Sequence, residues 1–154
     1  MNTKKYLIAG ALALTMSAPA MAQEVNYAKA LEPITAALKA APNDPKAAKD
    51  LIKEYQKTFK KDEEAIVALG NVYLLQHNFT EAEALANSVI NNKKFNGSKA
   101  YVLLGDIAAI QDSIGNAGAA AQQYQTAISL DPHNVTAYER YAKVYRHVNS
   151  KVAV

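Results

Sequence analysis

Beyond Gln23 the apolar residues return at spacings of three and four, and β-branched alternation of the kind a strand needs is nowhere sustained. That periodicity predicts a chain that is helical throughout. Polar and conformationally special residues divide it. Pro42-Asn43-Asp44-Pro45 should stop one helix and start the next, with Asp44 as N-cap and Pro45 preset for the first turn. Asp62 can cap a helix reaching about His77, Thr80 with Glu83 has the form of a capping box, and Asn91 to Ser98 is a polar connector. Asn116 and Asn134 can open two more helices, and Asp131-Pro132 stops the one between them. The expected helices lie near 25–41, 45–60, 63–77, 80–92, 98–112, 117–130 and 135–148. Pro33 conflicts with the first, because a proline inside a helix costs about 3 kcal/mol unless it falls in the first turn. A kink, or a late start to that helix, is expected there.

Residues 1–22, MNTKKYLIAGALALTMSAPAMA, follow another logic. Two lysines precede an apolar run from Tyr6 to Met16, and Pro19 with the small pair Ala20 and Ala22 closes the segment. These are the three parts of a secretory signal peptide. The run is about 11 residues long, whereas a membrane-spanning helix needs roughly 20. Cleavage after Ala22 would leave Gln23 first. No cysteine stands at that point, which rules out the lipid anchor of bacterial lipoproteins. The expected location is the periplasm without stable membrane insertion, with release from the cell as the alternative.

The mature chain repeats. Ala68-Leu69-Gly70-Asn71-Val72-Tyr73 is echoed 35 residues later by Leu103-Leu104-Gly105-Asp106-Ile107-Ala108, and more faintly by Arg140-Tyr141-Ala142-Lys143-Val144-Tyr145. A period of this size signals a solenoid of helix pairs. Gly70, Gly105 and Ala142 would be small because another helix backbone passes close, with Leu69, Leu104 and Tyr141 filling the space beside it. Ala82 and Ala120 would be small for the same reason, while Tyr124, Ala127, Ile128 and Leu130 pack the helix that Asp131-Pro132 ends.

These residues resemble the tetratricopeptide repeat family, whose pattern runs W-x2-L-G-x2-Y, then A-x3-F, then P. Leu69, Gly70, Tyr73 and Ala82 match in one repeat, and Leu104, Gly105, Ala120, Tyr124, Ala127 and Pro132 in the next. Departures are Ile66, Tyr101 and Tyr138 in place of tryptophan, Ala108 for the tyrosine, Ala86 for the aromatic and Lys94 for the proline. A three-residue expansion lies within Ile110 to Gly118. The resemblance implies an all-α fold of antiparallel helix hairpins stacked in a right-handed superhelix. It divides the mature domain, residues 23–154, into a degenerate repeat at 25–61, repeats at 63–95 and 98–132, and a half repeat at 135–148. The second helix of that half repeat would begin where Val152-Ala153-Val154 ends the sequence. Two readings follow: the last helix is a terminal cap, or the chain is the front interaction module of a longer exported protein, in which it could select substrate for an envelope enzyme.

The resemblance also implies a function. The first helices of successive repeats would line a concave groove that accepts a segment of another polypeptide. In this chain the groove set would include Val67, Asn71 and Leu74, then Lys99, Val102 and Asp106, then Glu139, Lys143 and Arg146. Only Asn71 and Lys143 fit the family's carboxylate-clamp pattern, so a chaperone tail is not the expected partner. The identity of the protein or peptide partner is not encoded in these residues.

Composition narrows the remaining chemistry. Of 17 basic residues Lys4 and Lys5 lie in the leader, leaving 15 against 14 acidic ones, and a net charge of about +1 predicts no nucleic-acid partner. Half the 154 residues are apolar and only six are glycine, enough to bury a core. The absence of cysteine removes disulfides and thiolate metal sites. His77, His133 and His147 are far apart in sequence, each at a turn or helix end. Glu63, Glu64, Glu81 and Glu83 are first-turn residues favoured by the helix dipole. Gly105, Gly115 and Gly118 form no phosphate loop. No catalytic residue, metal or cofactor is therefore expected, and the chain is read as a non-enzyme. The basic stretch Lys46 to Lys61 could seek an anionic membrane, but Leu51, Ile52 and Tyr55 fit core positions better. Asp112-Ser113-Ile114 resembles the Asp-Ser/Thr-aliphatic sequence used by some periplasmic O-glycosylation systems, making Ser113 a candidate acceptor.

Overall fold

The computed structural model describes residues 21–111 and 116–152. Among them are seven helices and no strand: α1 (Met21–Ala40), α2 (Lys49–Thr58), α3 (Glu63–Leu75), α4 (Phe79–Ile90), α5 (Ser98–Ile110), α6 (Asn116–Leu130) and α7 (Val135–Val152). The fold is all-α, as the periodicity predicts. Residues 1–20, most of the expected leader, and the candidate acceptor Ser113 lie outside the described residues. The helices fall into two compact units, α1 to α3 ending at Asn78 and α4 to α7 starting at Phe79. That division falls inside the repeat expected at 63–95.

In the first unit α1 packs against α2 and α3. Leu31, Ile34 and Leu38 of α1 are buried at helical spacing, as are Leu51, Ile52 and Tyr55 of α2. The apolar stripe of α2 is thus consumed by the core, while Lys49, Lys53 and Lys57 stay exposed. Tyr55 is 1% exposed and its hydroxyl donates to the Ala65 carbonyl at 2.8 Å, which gives the buried phenol the partner it requires. Its ring lies 4.7 Å from that of Phe59.

Two expectations about helix starts need correction in this unit. α1 neither starts late nor stops at Pro33 but runs through it from Met21; burial of Leu31 and Ile34 on either side offsets the missing hydrogen bond. Asp44 does not cap a helix at 45. Its carboxylate accepts from the Lys46 amide at 2.9 Å, its carbonyl from the Ala47 amide at 3.1 Å, and the turns at 45–48 delay α2 until Lys49. The backbone instead turns through 45–48, with the Lys49 amide on the Lys46 carbonyl at 2.9 Å, before the helix begins. Asp62, by contrast, caps α3 through a 3.1 Å bond to the Ala65 amide. The far end of α3 closes with the Asn78 amide on the Tyr73 carbonyl and the His77 amide on the Leu74 carbonyl, each at 2.9 Å, placing His77 at φ 57°. This is a Schellman end with histidine at the left-handed position usually held by glycine.

In the second unit α4 packs on α5, α5 on α6 and α6 on α7, with α5 also reaching α7. Ala82, Leu85, Ala86 and Val89 put one buried stripe on α4. That helix begins at Phe79, so Thr80 stands inside its first turn and not at the capping position expected of it. The core behind α5 contains Val102, Ala120, Tyr124, Ala127 and Ala137, with Tyr101, Ile128 and Val144 packed against it.

A polar staple joins three helix ends. Ser98 is buried and its hydroxyl donates to the Ala127 carbonyl at 2.7 Å while accepting from Asn134 Nδ2 at 2.9 Å. Asn134 also caps α7 as predicted, its Oδ1 accepting from the Ala137 amide at 3.2 Å. Asn96 adds a 3.1 Å bond to the Leu130 carbonyl and another of 3.1 Å to the Ser98 amide. Gly97 between them adopts φ 82°, which a side chain would strain.

Candidate functional site

The small residue predicted at Gly105 is required by contact. A Cβ placed there would come within 2.3 Å of Tyr124 Cε1 and 2.7 Å of Cδ1. The ring of α6 therefore lies directly on the backbone of α5. Ala142 breaks the pattern: it is exposed, and no ring from a following helix covers it. The expectation that a helix passes over it is not met among the described residues.

Seated on Gly105, Tyr124 carries its hydroxyl to Asp106, and the O–H donates to Oδ1 at 2.7 Å. Arg140 Nε of α7 stands 3.2 Å from the same oxygen as an ion pair without the alignment of a hydrogen bond. Burial, and then the hydrogen bond and negative charge of Asp106, hold the Tyr124 hydroxyl protonated far above the usual tyrosine range; the Arg140 charge acts the other way. Tyr55 is pushed in the same direction, first by burial and then by the Asp62 charge. Neither phenol is poised to exchange a proton near neutrality.

The residues expected to face a partner separate by burial. In the first unit Asn71 is exposed, whereas Val67 and Leu74 are buried. In the second, Val102 belongs to the core, and the Asp106 side chain is only 17% exposed and bonded to its neighbours. Their contribution is to hold helices together, which limits what they present to a partner. Lys99, Glu139, Lys143 and Arg146 are exposed. Residues 139, 143 and 146 share one side of α7 by their spacing of four and three. The solvent-facing set in this unit is thus three cations and one anion on α5 and α7.

Sequence reading missed Arg140 and the staple of Ser98 and Asn134. Their partners lie 34 and 36 residues away, and no local pattern specifies such pairs. The burial of Val67 and Leu74 had a visible signal: α3, EEAIVALGNVYLL, is apolar on nearly every face, which marks a helix enclosed by others.

Comparison with known protein families and with curated proteins found no match. No group of three or more histidine, aspartate or glutamate side chains that could hold a metal occurs among the described residues. A shallow hollow of about 350 Å³ runs along α1, lined by Ala28, Leu31, Glu32, Thr35, Ala36 and Lys39. No helix among the described residues is long and apolar enough to cross a membrane.

Proposed function

We propose that the chain is an exported tetratricopeptide-type scaffold that binds a partner polypeptide in the periplasm and performs no catalysis. The observation that carries this reading is the approach of Tyr124 to Gly105, the contact that an A-x3-F-type second helix should make with the L-G position of a first helix. Serial packing of α4, α5, α6 and α7 agrees with it. The repeat motif and the three-part leader supply the rest.

Partner contact is assigned, in each unit by itself, to side chains that remain exposed: Asn71 of α3 in the first, and Lys99, Glu139, Lys143 and Arg146 of α5 and α7 in the second. Asp106 leaves that set, because its carboxylate is committed to Tyr124 and Arg140. The test is capture from a native periplasmic extract with the processed chain as bait, beside a bait carrying Asn71→Ala and Lys143→Ala. The expected result is a discrete partner whose measured affinity falls about tenfold with the double variant, the scale of a loss near 1.4 kcal/mol. Capture of the same proteins with equal affinity by both baits would contradict the assignment.

A further inference from the structure

Helix α7 carries an uncovered stripe. Tyr138 is 46% exposed and Tyr145 50% exposed, and the small Ala142 between them is exposed as well. Spacings of four and three put all three on one line of the helix. In α5 the equivalent positions are Tyr101, Gly105 and Ala108, the face over which α6 lies. Among the described residues, α7 thus presents a helix-accepting surface with no helix on it, and clustered aromatic exposure of this kind marks an interaction site.

The charges around the stripe say what fits it. Glu139 and Arg146 flank one edge, while Tyr138 and Tyr145 form the other. If two copies of α7 cross antiparallel at Ala142, each residue before the crossing faces one equally far after it. Tyr138 is four residues before and Tyr145 three after, so each Tyr138 meets Tyr145 of the second copy within about one helical rise of 1.5 Å. Glu139 is three before and Arg146 four after, so each Glu139 meets Arg146 of the second copy on the opposite edge. Both pairs occur twice by symmetry, as an isologous contact demands. The small residue at the centre lets the axes approach to roughly 8 Å. A parallel crossing would set each charged edge against tyrosines and pair no opposite charges. We infer that α7 pairs antiparallel with α7 of a second copy of this chain, which takes Glu139 and Arg146 out of the partner-contact set and leaves Lys99 and Lys143 to it in each copy. One helix pair buries an area at the low end for specific association, so the dimer forms and dissociates readily.

Sedimentation velocity of the full chain across a concentration series tests the pairing. The expected result is a rapid monomer–dimer equilibrium that Ala142→Arg abolishes. Glu139→Arg and Arg146→Glu should each weaken self-association about tenfold, because each replaces two attractive pairs by two repulsive ones. Mixing those two variants in equal amounts should restore dimers, since the arginines at both positions of one copy then face glutamates at both positions of the other. Far-ultraviolet circular dichroism keeps loss of association distinct from loss of fold. A wild-type chain that stays monomeric, or a mixture of the two charge variants that does no better than either alone, overturns the inference. So does a monomer that binds a synthetic helix carrying the Ala-x3-Tyr-x2-Ala pattern of α6 in place of a second copy.

Discussion

Tyr124 shows how one side chain can set several features together. Its ring fixes the distance between α5 and α6, its hydroxyl fixes Asp106, and Asp106 in turn receives Arg140. The buried hydroxyl also makes stability depend on alkaline pH. In the unfolded chain Tyr124 releases its proton near pH 10, whereas in the fold burial and Asp106 hold it well beyond that. The folded state therefore retains a proton that the unfolded state loses. This contribution is complete below pH 10 and disappears as pH rises toward the folded value, at a slope of about 1.4 kcal/mol per pH unit. Tyr55 adds a second dependence of the same sign. Replacing Tyr124→Phe should cost about 1.5–3 kcal/mol at neutral pH, the worth of a hydrogen bond to a charged group. Urea unfolding at a series of pH values checks the sign: the gap between wild type and variant should shrink from pH 9 to pH 11. A gap that stays constant would mean the hydroxyl is not held protonated by the fold.

At the scale of helices, agreement between pattern and structure depends on how local the deciding interaction is. Asp62 and Asn134 were readable as caps because each bonds an amide three residues on. Asp44 and Thr80 are also cap-type residues and do not start a helix, the first because the backbone turns through 45–48 and the second because α4 begins ahead of it. At Gly105 the need for a small residue was readable from the repeat, but the group that presses on it is the Tyr124 ring and not the helix backbone expected there. Gly105→Ala sets two effects against each other. Alanine favours a helix interior by about 1 kcal/mol, but its Cβ would stand 2.3 Å from Tyr124 Cε1. Overpacking costs typically 1–3 kcal/mol and more when a ring cannot move, and this ring is tied at its hydroxyl to Asp106. The variant should therefore be destabilised by about 1–2 kcal/mol. Thermal unfolding decides it, and a variant as stable as wild type would show that the helices separate at little cost.

For the molecule as a whole, the all-α class and the order of the helices were legible because periodicity and breakers act within a few residues of themselves. The candidate site was legible only in part. Asn71, Lys99, Glu139, Lys143 and Arg146 are exposed, while Val67, Leu74, Val102 and Asp106 are held by neighbours that the spacing does not name. The proposed function puts partner contact on α3 and on α5, each within its own unit, and not on α2 or α4. That asymmetry is the central claim, and photo-crosslinking inside the living cell tests it most directly. Four versions of the chain would each carry the crosslinking amino acid at one exposed position: Asn71 or Lys99 on first helices, and Lys57 or Glu83 on second ones. The expected result is a discrete adduct to another polypeptide from positions 71 and 99 and none from 57 and 83. Equal yields from all four positions, or adducts from 57 and 83 alone, would contradict partner contact through α3 and α5.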